Sequence, residues 1–145
     1  MTPNDAETNK QIVRRYAEDV FVGGNLDAIG ETIAIDYVHH SPSAPDVVGV
    51  EAMAELVRGF RRSFSEIFLT VDDMVAQDDR VATRLRIFAV HSGDYDGIAA
   101  TGRPVTLQSM AIDRIADGKI AEGWEVSDAH NLRDQILDNN GESTN

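Results

Sequence analysis

Glu125 is the residue of this 145-residue chain best placed to do chemistry. It follows the only tryptophan in the stretch Val105 to Ser127, VTLQSMAIDRIADGKIAEGWEVS, where two β-rich runs flank Ala116-Asp117-Gly118. Asp-Gly between such runs marks a hairpin. A two-residue loop would set Asp113 opposite Glu122, and like charges directly opposite are destabilising. A three-residue loop with Gly118 in the left-handed conformation shifts the register by one and removes the clash, so that register is expected. Ser109 and Ala111 then share a face with Gly123 and Glu125, while Gln108, Met110 and Ile112 share the other with Trp124 and Val126. A face of Ser, Ala and Gly leaves space in front of it. Either a helix packs unusually close there, or a cavity holds a carboxylate. In a cavity, burial would lift the pKa of Glu125 and make it a general base useful near neutrality. The competing reading is an exposed glutamate, or the ion-pair partner of an arginine.

Other polar and aromatic groups could serve such a cavity. His39 and His40, in Asp36-Tyr37-Val38-His39-His40-Ser41-Pro42, point to opposite sides of an extended chain, so at most one faces inward, where it could shuttle protons. Neither has a metal-ligand partner at recognisable spacing. His91, at the end of a strand, lines the mouth or closes the strand end. Tyr16 and Tyr37 read as core residues whose hydroxyls reach the pocket edge, and Phe60 as part of an apolar helical stripe. Asp128 is expected to cap the last helix, although it lies only three residues from Glu125. His130 reads as surface. Nucleophile elbow, phosphate loop, dinucleotide fingerprint and zinc signature are all absent, which disfavours covalent catalysis.

The elements that must position these groups follow from periodicity. Ile12, Val13, Tyr16, Ala17, Val20 and Phe21 recur at helical spacing, predicting an amphipathic helix from about 5 to 22 that stops at Gly23-Gly24. A short helix after Asn25 would bury Ile29 and Ile33. The His-His-Ser-Pro segment, with prolines at 42 and 45, is loop or short strand. Val50, Met53, Val57, Phe60 and Phe64 define a long helix from 50 to 64. The period then changes to two across 68–77 and 81–91, a hairpin around Asp78-Asp79-Arg80. Ser92 to Pro104 is a glycine-rich connection of 13 residues, long for a compact domain, and is expected to be a mobile cover over a cavity mouth. A last helix buries Leu132, Ile136 and Leu137, and residues 138–145 form a frayed polar tail. Helices first and antiparallel strands afterwards mean an α+β fold in one domain spanning 1–145, its curved sheet wrapped on to the helices around a cone with an open end.

Charge and composition remove several function classes. Twenty-five acids against 13 bases give a net charge of −12, which disfavours nucleic acid and anionic membrane as partners. Arg58, Arg61 and Arg62 form the nearest basic cluster, and helical spacing puts Arg58 and Arg62 beside Glu55 on a solvated face. The absence of cysteine excludes disulfides, thiolate metal sites and a cysteine nucleophile. With neither a signal peptide nor an apolar run of membrane-spanning length, the chain is expected to be cytoplasmic.

Across nearly the whole chain, from about Asn9 to Leu137, the segments FVGGNLDAI, DYVHHSP, DDRVATRLRIFAVHSG, GIAATGRPV and DRIADGKIAEGWEVSDAHNLRDQIL resemble the SnoaL-like polyketide cyclases of the nuclear transport factor 2-like superfamily. The resemblance implies a cone-shaped α+β barrel, often a homodimer, whose cavity binds an apolar carbonyl-bearing polyketide and closes a ring by an intramolecular aldol step without metal or other cofactor. It places the family's acid/base carboxylate on Glu125, a glutamate where aspartate is more usual. Ser109 and Ala111 fall where characterised cyclases carry a glutamine and a histidine, and His39 where they carry an asparagine. Isomerases, dehydratases and hydrolases share the scaffold, as do non-catalytic binding or dimerisation modules. A homodimer through the outer sheet face is expected independently, because a monomer would expose Gln108, Met110, Ile112, Trp124 and Val126.

Overall fold

In the computed structural model, which describes residues 5–137, the amphipathic N-terminal stretch forms α1 (Ala6–Arg15), continued by a π-helical segment at Tyr16–Val22. The wider winding ends with the Gly23 N–H donating to the Glu18 carbonyl. A 3₁₀ turn at Leu26–Ala28 leads into α2 (Ile29–Thr32), which buries Ile29. Ile33, expected on that helix, is instead the fully buried first residue of β1 (Ile33–Ser41), which carries both histidines. The proline-bearing segment after it, expected to be loop or short strand, forms the short β2 (Ala44–Val48) at the sheet edge, where Pro45 removes no ladder bond from a central strand.

Next come α3 (Val50–Ser63) and β3 (Phe64–Gln77), the latter beginning four residues before the alternation suggested. β4 (Arg80–His91), β5 (Pro104–Ala116), β6 (Lys119–Ser127) and α4 (His130–Leu137) complete the chain. The tail beyond Leu137 and the side chain of His130 lie outside the described residues. No described helix is long and apolar enough to cross a membrane.

The strands form one six-stranded sheet in the order β2-β1-β6-β5-β4-β3, antiparallel except where β1 runs parallel to β6. Neither edge strand pairs onward, so the barrel is open and its helices complete the enclosure. Two apolar clusters hold the layers together. One joins Val13, Val20, Met53 and Val57 of the helices to Ile33 and Ile120. The other joins Phe64, Ile87 and Leu107 to Leu132 and Ile136 of α4.

The β5-β6 hairpin reaches the expected register by a different device. Its turn is the two-residue Asp117-Gly118, with φ of 53° and 78°, closed by the pair Ala116 and Lys119. Positive φ at both positions matches the twist of the flanking strands better than the three-residue loop expected. The one-residue shift comes instead from a bulge in β6: Ile115 pairs with Ile120 and Arg114 with Glu122, leaving Ala121 unmatched. Beyond the bulge Asp113 opposes Gly123 and Ala111 opposes Glu125, while Glu122 forms an ion pair with Arg114 at 3.2 Å.

The long connection between β4 and β5 is anchored at its base. The N–H groups of Ser92 and Gly93 donate to the Ser63 carbonyl, and Ser63 Oγ donates to the Asp94 carbonyl. A side chain at Gly93 would collide with the Arg62 carbonyl oxygen. Arg133 of α4 also donates to Asp96 at 2.6 Å.

Candidate active site

The helices stand off the concave face of the sheet and leave a cavity of about 520 Å³, within the range of small-molecule sites. Its walls are mainly apolar side chains drawn from both clusters, among them Phe60, Met53, Leu85 and Leu107. Its polar groups converge from β1, β4, β5 and β6. The residues facing inward on β5 are Ser109, Ala111 and Asp113, and those on β6 are Gly123, Glu125 and Ser127.

Glu125 sits in a chain of hydrogen bonds. Ser109 Oγ donates to Oε2 at 2.7 Å, and His39 Nε2 lies 3.2 Å from Oε1. The other ring nitrogen of His39, Nδ1, is 3.2 Å from the Tyr37 hydroxyl. With a proton on Nε2 the imidazole donates to Glu125, and its Nδ1 pairs with the Tyr37 hydroxyl. Strand geometry assembles the chain: residues two apart on β1 share a face, and β1 lies beside β6 with His39 paired to Gly123.

Burial is the largest influence on Glu125 and favours its neutral form, but the hydrogen bonds from His39 and Ser109, together with the charge of His39, outweigh it. Its carboxyl is therefore held below the ordinary glutamate range, and the expected rise is overturned. The ion-pair partner weighed against a catalytic role does exist; it is a histidine inside the cavity instead of an arginine outside.

The carboxyl that is pushed up belongs to Asp113. Burial is the main cause and the nearby charge of Glu125 the second, with His39 opposing, and together they bring Asp113 to about 7. Gly123 makes this placement possible, since a Cβ there would lie 2.7 Å from Asp113 Oδ1 and 2.8 Å from the Tyr37 hydroxyl. That hydroxyl is bonded to His39 Nδ1, and Asp113 has no hydrogen bond or ion pair to any described residue. Tyr16, at the start of the π-helical segment, faces the same two carboxylates. Burial first, and these charges second, keep both tyrosines protonated well above the usual phenol range. On β4, the Thr83 Oγ1 lines the cavity beside Ala111, buried and without a hydrogen-bond partner among the described residues.

Of the residues singled out in the sequence, Glu125, His39, Tyr16, Tyr37, Phe60, Ser109 and Ala111 all line this cavity. Three do not. His40 projects to the outer face, as alternation requires, where it stacks on Trp124 and binds Glu122 at 2.7 Å and Asp46 at 3.0 Å. Those two hydrogen bonds, Glu122 first, raise its pKa. His91 is fully buried against Phe64, and its Nδ1 holds Thr101 at the base of the long connection, so it closes the strand end. Asp128 Oδ1 accepts from the Gln108 N–H at the open end of the hairpin. Asp113 and Thr83 are the inward polar groups that the sequence reading missed. Asp113 was legible in principle, having the same parity as Ser109 and Ala111. Among the described residues no group of three or more His, Asp or Glu side chains is arranged to hold a metal ion.

An open, mixed α+β sheet capped by helices around one apolar, acid-lined cavity is an architecture shared by many small-molecule enzymes. The chain belongs to the SnoaL-like polyketide cyclase family, whose model matches residues 11–136. It is 31% identical over 120 residues to the aklanonic acid methyl ester cyclase of Streptomyces peucetius, covering 79% of this chain and 81% of that protein. The cyclase of the same description from Streptomyces sp. strain C5 is also 31% identical, over 77% of this chain and 70% of its own. Among solved structures, wild-type IdmH from Streptomyces antibioticus superposes with a TM-score of 0.79 at 28% identity, covering 89% of this chain and 98% of that one. A SnoaL-like protein from Jannaschia sp. CCS1 has the same fold, with a TM-score of 0.85 at 19% identity over 95% and 96% of the two chains.

Proposed function

We propose that this protein is a cofactor-independent cyclase that closes a ring in a polyketide-derived ester by an intramolecular aldol-type addition. The observation that carries the reading is the Glu125 carboxylate, ionised and aimed by His39 and Ser109 within a mainly apolar cavity. Such a group can take the acidic proton from a carbon flanked by two carbonyls. The charge left behind is an enolate delocalised over the substrate's own oxygens, so the reaction needs no external electron sink. Apolar walls from Phe60, Leu85 and Leu107 favour a flat, largely hydrocarbon skeleton and hold its two reacting carbons together. Ser109 and Ala111 stand where related cyclases carry larger polar groups, which leaves more room and fewer donors beside Glu125.

Aklanonic acid methyl ester, on which the two Streptomyces relatives are named as acting, is the first substrate to try. Ring closure, followed by absorbance and mass, should depend on Glu125 and proceed in metal-free buffer. Absence of both cyclisation and protection against thermal unfolding by that ester would count against the reading.

The working unit we propose is a homodimer through the outer face of the sheet. Met110 and Val126 are 60% and 62% exposed there, around Trp124, an apolar patch that a second copy would cover.

A further inference from the structure

We propose that Asp113 is a second catalytic residue, the carboxylic acid that protonates the acceptor carbonyl oxygen as the ring closes, while Glu125 acts as the base. The assignment rests on the cyclase reading above and divides its proton chemistry between two carboxyls.

Geometry separates their roles. Glu125 receives donors from Ser109 and His39, which favour a carboxylate. Asp113 receives none from any described residue, and the Tyr37 hydroxyl beside it is bonded to His39 Nδ1. An enclosed carboxyl without donors keeps its proton. The groups facing it from neighbouring elements are Tyr16 of the N-terminal helix, Tyr37 and His39 of β1, Glu125 of β6 and Thr83 of β4; Val81 is its direct β4 partner. Of these, Glu125 carries the negative charge that opposes ionisation of Asp113. Two carboxyls with separated affinities for protons are the arrangement that supplies acid and base together at one pH.

The step balances. Glu125 removes the proton from the activated carbon, and the C–H electron pair becomes the enolate. The enolate carbon bonds to the acceptor carbonyl carbon, whose π pair moves to oxygen, and that oxygen takes the Asp113 proton. The enzyme finishes with Glu125 protonated and Asp113 ionised, and both exchange with water after product leaves. A base held to low proton affinity drives enolisation poorly by itself, so acid assistance at the acceptor is where the barrier is lowered. Thr83 Oγ1 lies diagonally across the same sheet face from Asp113 and can donate to the same oxygen.

The test uses aklanonic acid methyl ester in deuterated buffer with wild type and Asp113→Asn, alongside ¹³C NMR titration of the Asp113 carboxyl in ligand-free wild type and in Glu125→Gln. Asp113→Asn should still exchange the activated hydrogen for deuterium while ring closure falls about 10² to 10⁴-fold. Ring closure by Asp113→Asn at the wild-type rate would overturn the proposal. If wild type neither exchanges nor closes the ester, the cyclase reading fails for that substrate and the titration decides the assignment. An Asp113 carboxyl still protonated at pH 6, losing its proton more readily in Glu125→Gln, supports it. A carboxyl already ionised below pH 5 overturns it.

Discussion

Asp113 and Glu125 project from adjacent strands into the same cavity, one step apart along the ladder, and the protein drives their proton affinities in opposite directions. Both are partly buried and desolvation acts to raise both, so burial alone cannot separate them. The difference is made by two donors, Ser109 and His39, that reach one carboxylate and not the other.

Replacing Glu125 with Gln keeps shape and much of the hydrogen bonding while removing the base. Turnover of aklanonic acid methyl ester should fall about 10² to 10⁴-fold, while ligand affinity stays within about 1 kcal/mol. Parallel measurement of kcat and of binding by calorimetry separates the two effects.

His39→Leu should reverse the shift of Glu125. With the imidazole hydrogen bond and charge gone, burial dominates and the carboxyl should titrate above the ordinary glutamate range instead of below it. Carboxyl ¹³C shifts followed through pH 3 to 8 check this, and an unchanged Glu125 pKa would mean that His39 does not hold it down.

Asp113 should make the fold less stable as pH rises. Its folded pKa of about 7 exceeds the unfolded value of 3.8, so the native state binds the extra proton throughout that window. Stability from this group is full below about 4 and declines toward pH 7, by an amount on the order of 4 kcal/mol. Urea unfolding at pH 5 and pH 8 should show a smaller loss in Asp113→Asn than in wild type.

Gly123→Ala tests the crowding over β6. The added methyl would press on Asp113 and Tyr37 together, so one or both must move and the His39 contact with them. Overpacking of this kind costs about 1 to 3 kcal/mol. Thermal unfolding measures the cost, and weakened ligand protection would show that the site itself has shifted.

For the outer face, Met110→Glu or Val126→Glu should convert a dimer into a monomer. Light scattering should give twice the 15.9 kDa chain mass for wild type and the single mass for the variants.

Much of this architecture could be read from the chain because its periodicities are strong. The helical stripe from Val50 to Phe64 and the alternation of β4 both match the observed elements closely. The faces of the last hairpin followed from a charge argument, although the sequence reading assigned the shift to the turn when a bulge makes it. That same argument treated Asp113 only as a charge to be kept from Glu122, and so overlooked that its parity placed it beside Glu125. The sequence leaves β2 open between loop and short strand because of Pro42 and Pro45, the second of which a sheet edge tolerates. The hydrogen bond from Tyr37 to His39 and the missing partner of Thr83 depend on contacts between distant segments, which local pattern does not encode.

The unmatched Ala121 acts on the strand as a frameshift acts on a reading frame. Every side chain before it keeps one phase and every side chain after it the other, so Ile120 and Glu125 both point inward although their numbers differ in parity. Pairing this single small residue in line opposite Arg114, with no bulge, would leave the turn and the composition intact yet turn the end of β6 inside out, carrying Glu125 to the outer face. The inward place of Glu125 is therefore specified by a count as much as by an identity. A search for related sites should align the bulge before it aligns the glutamate.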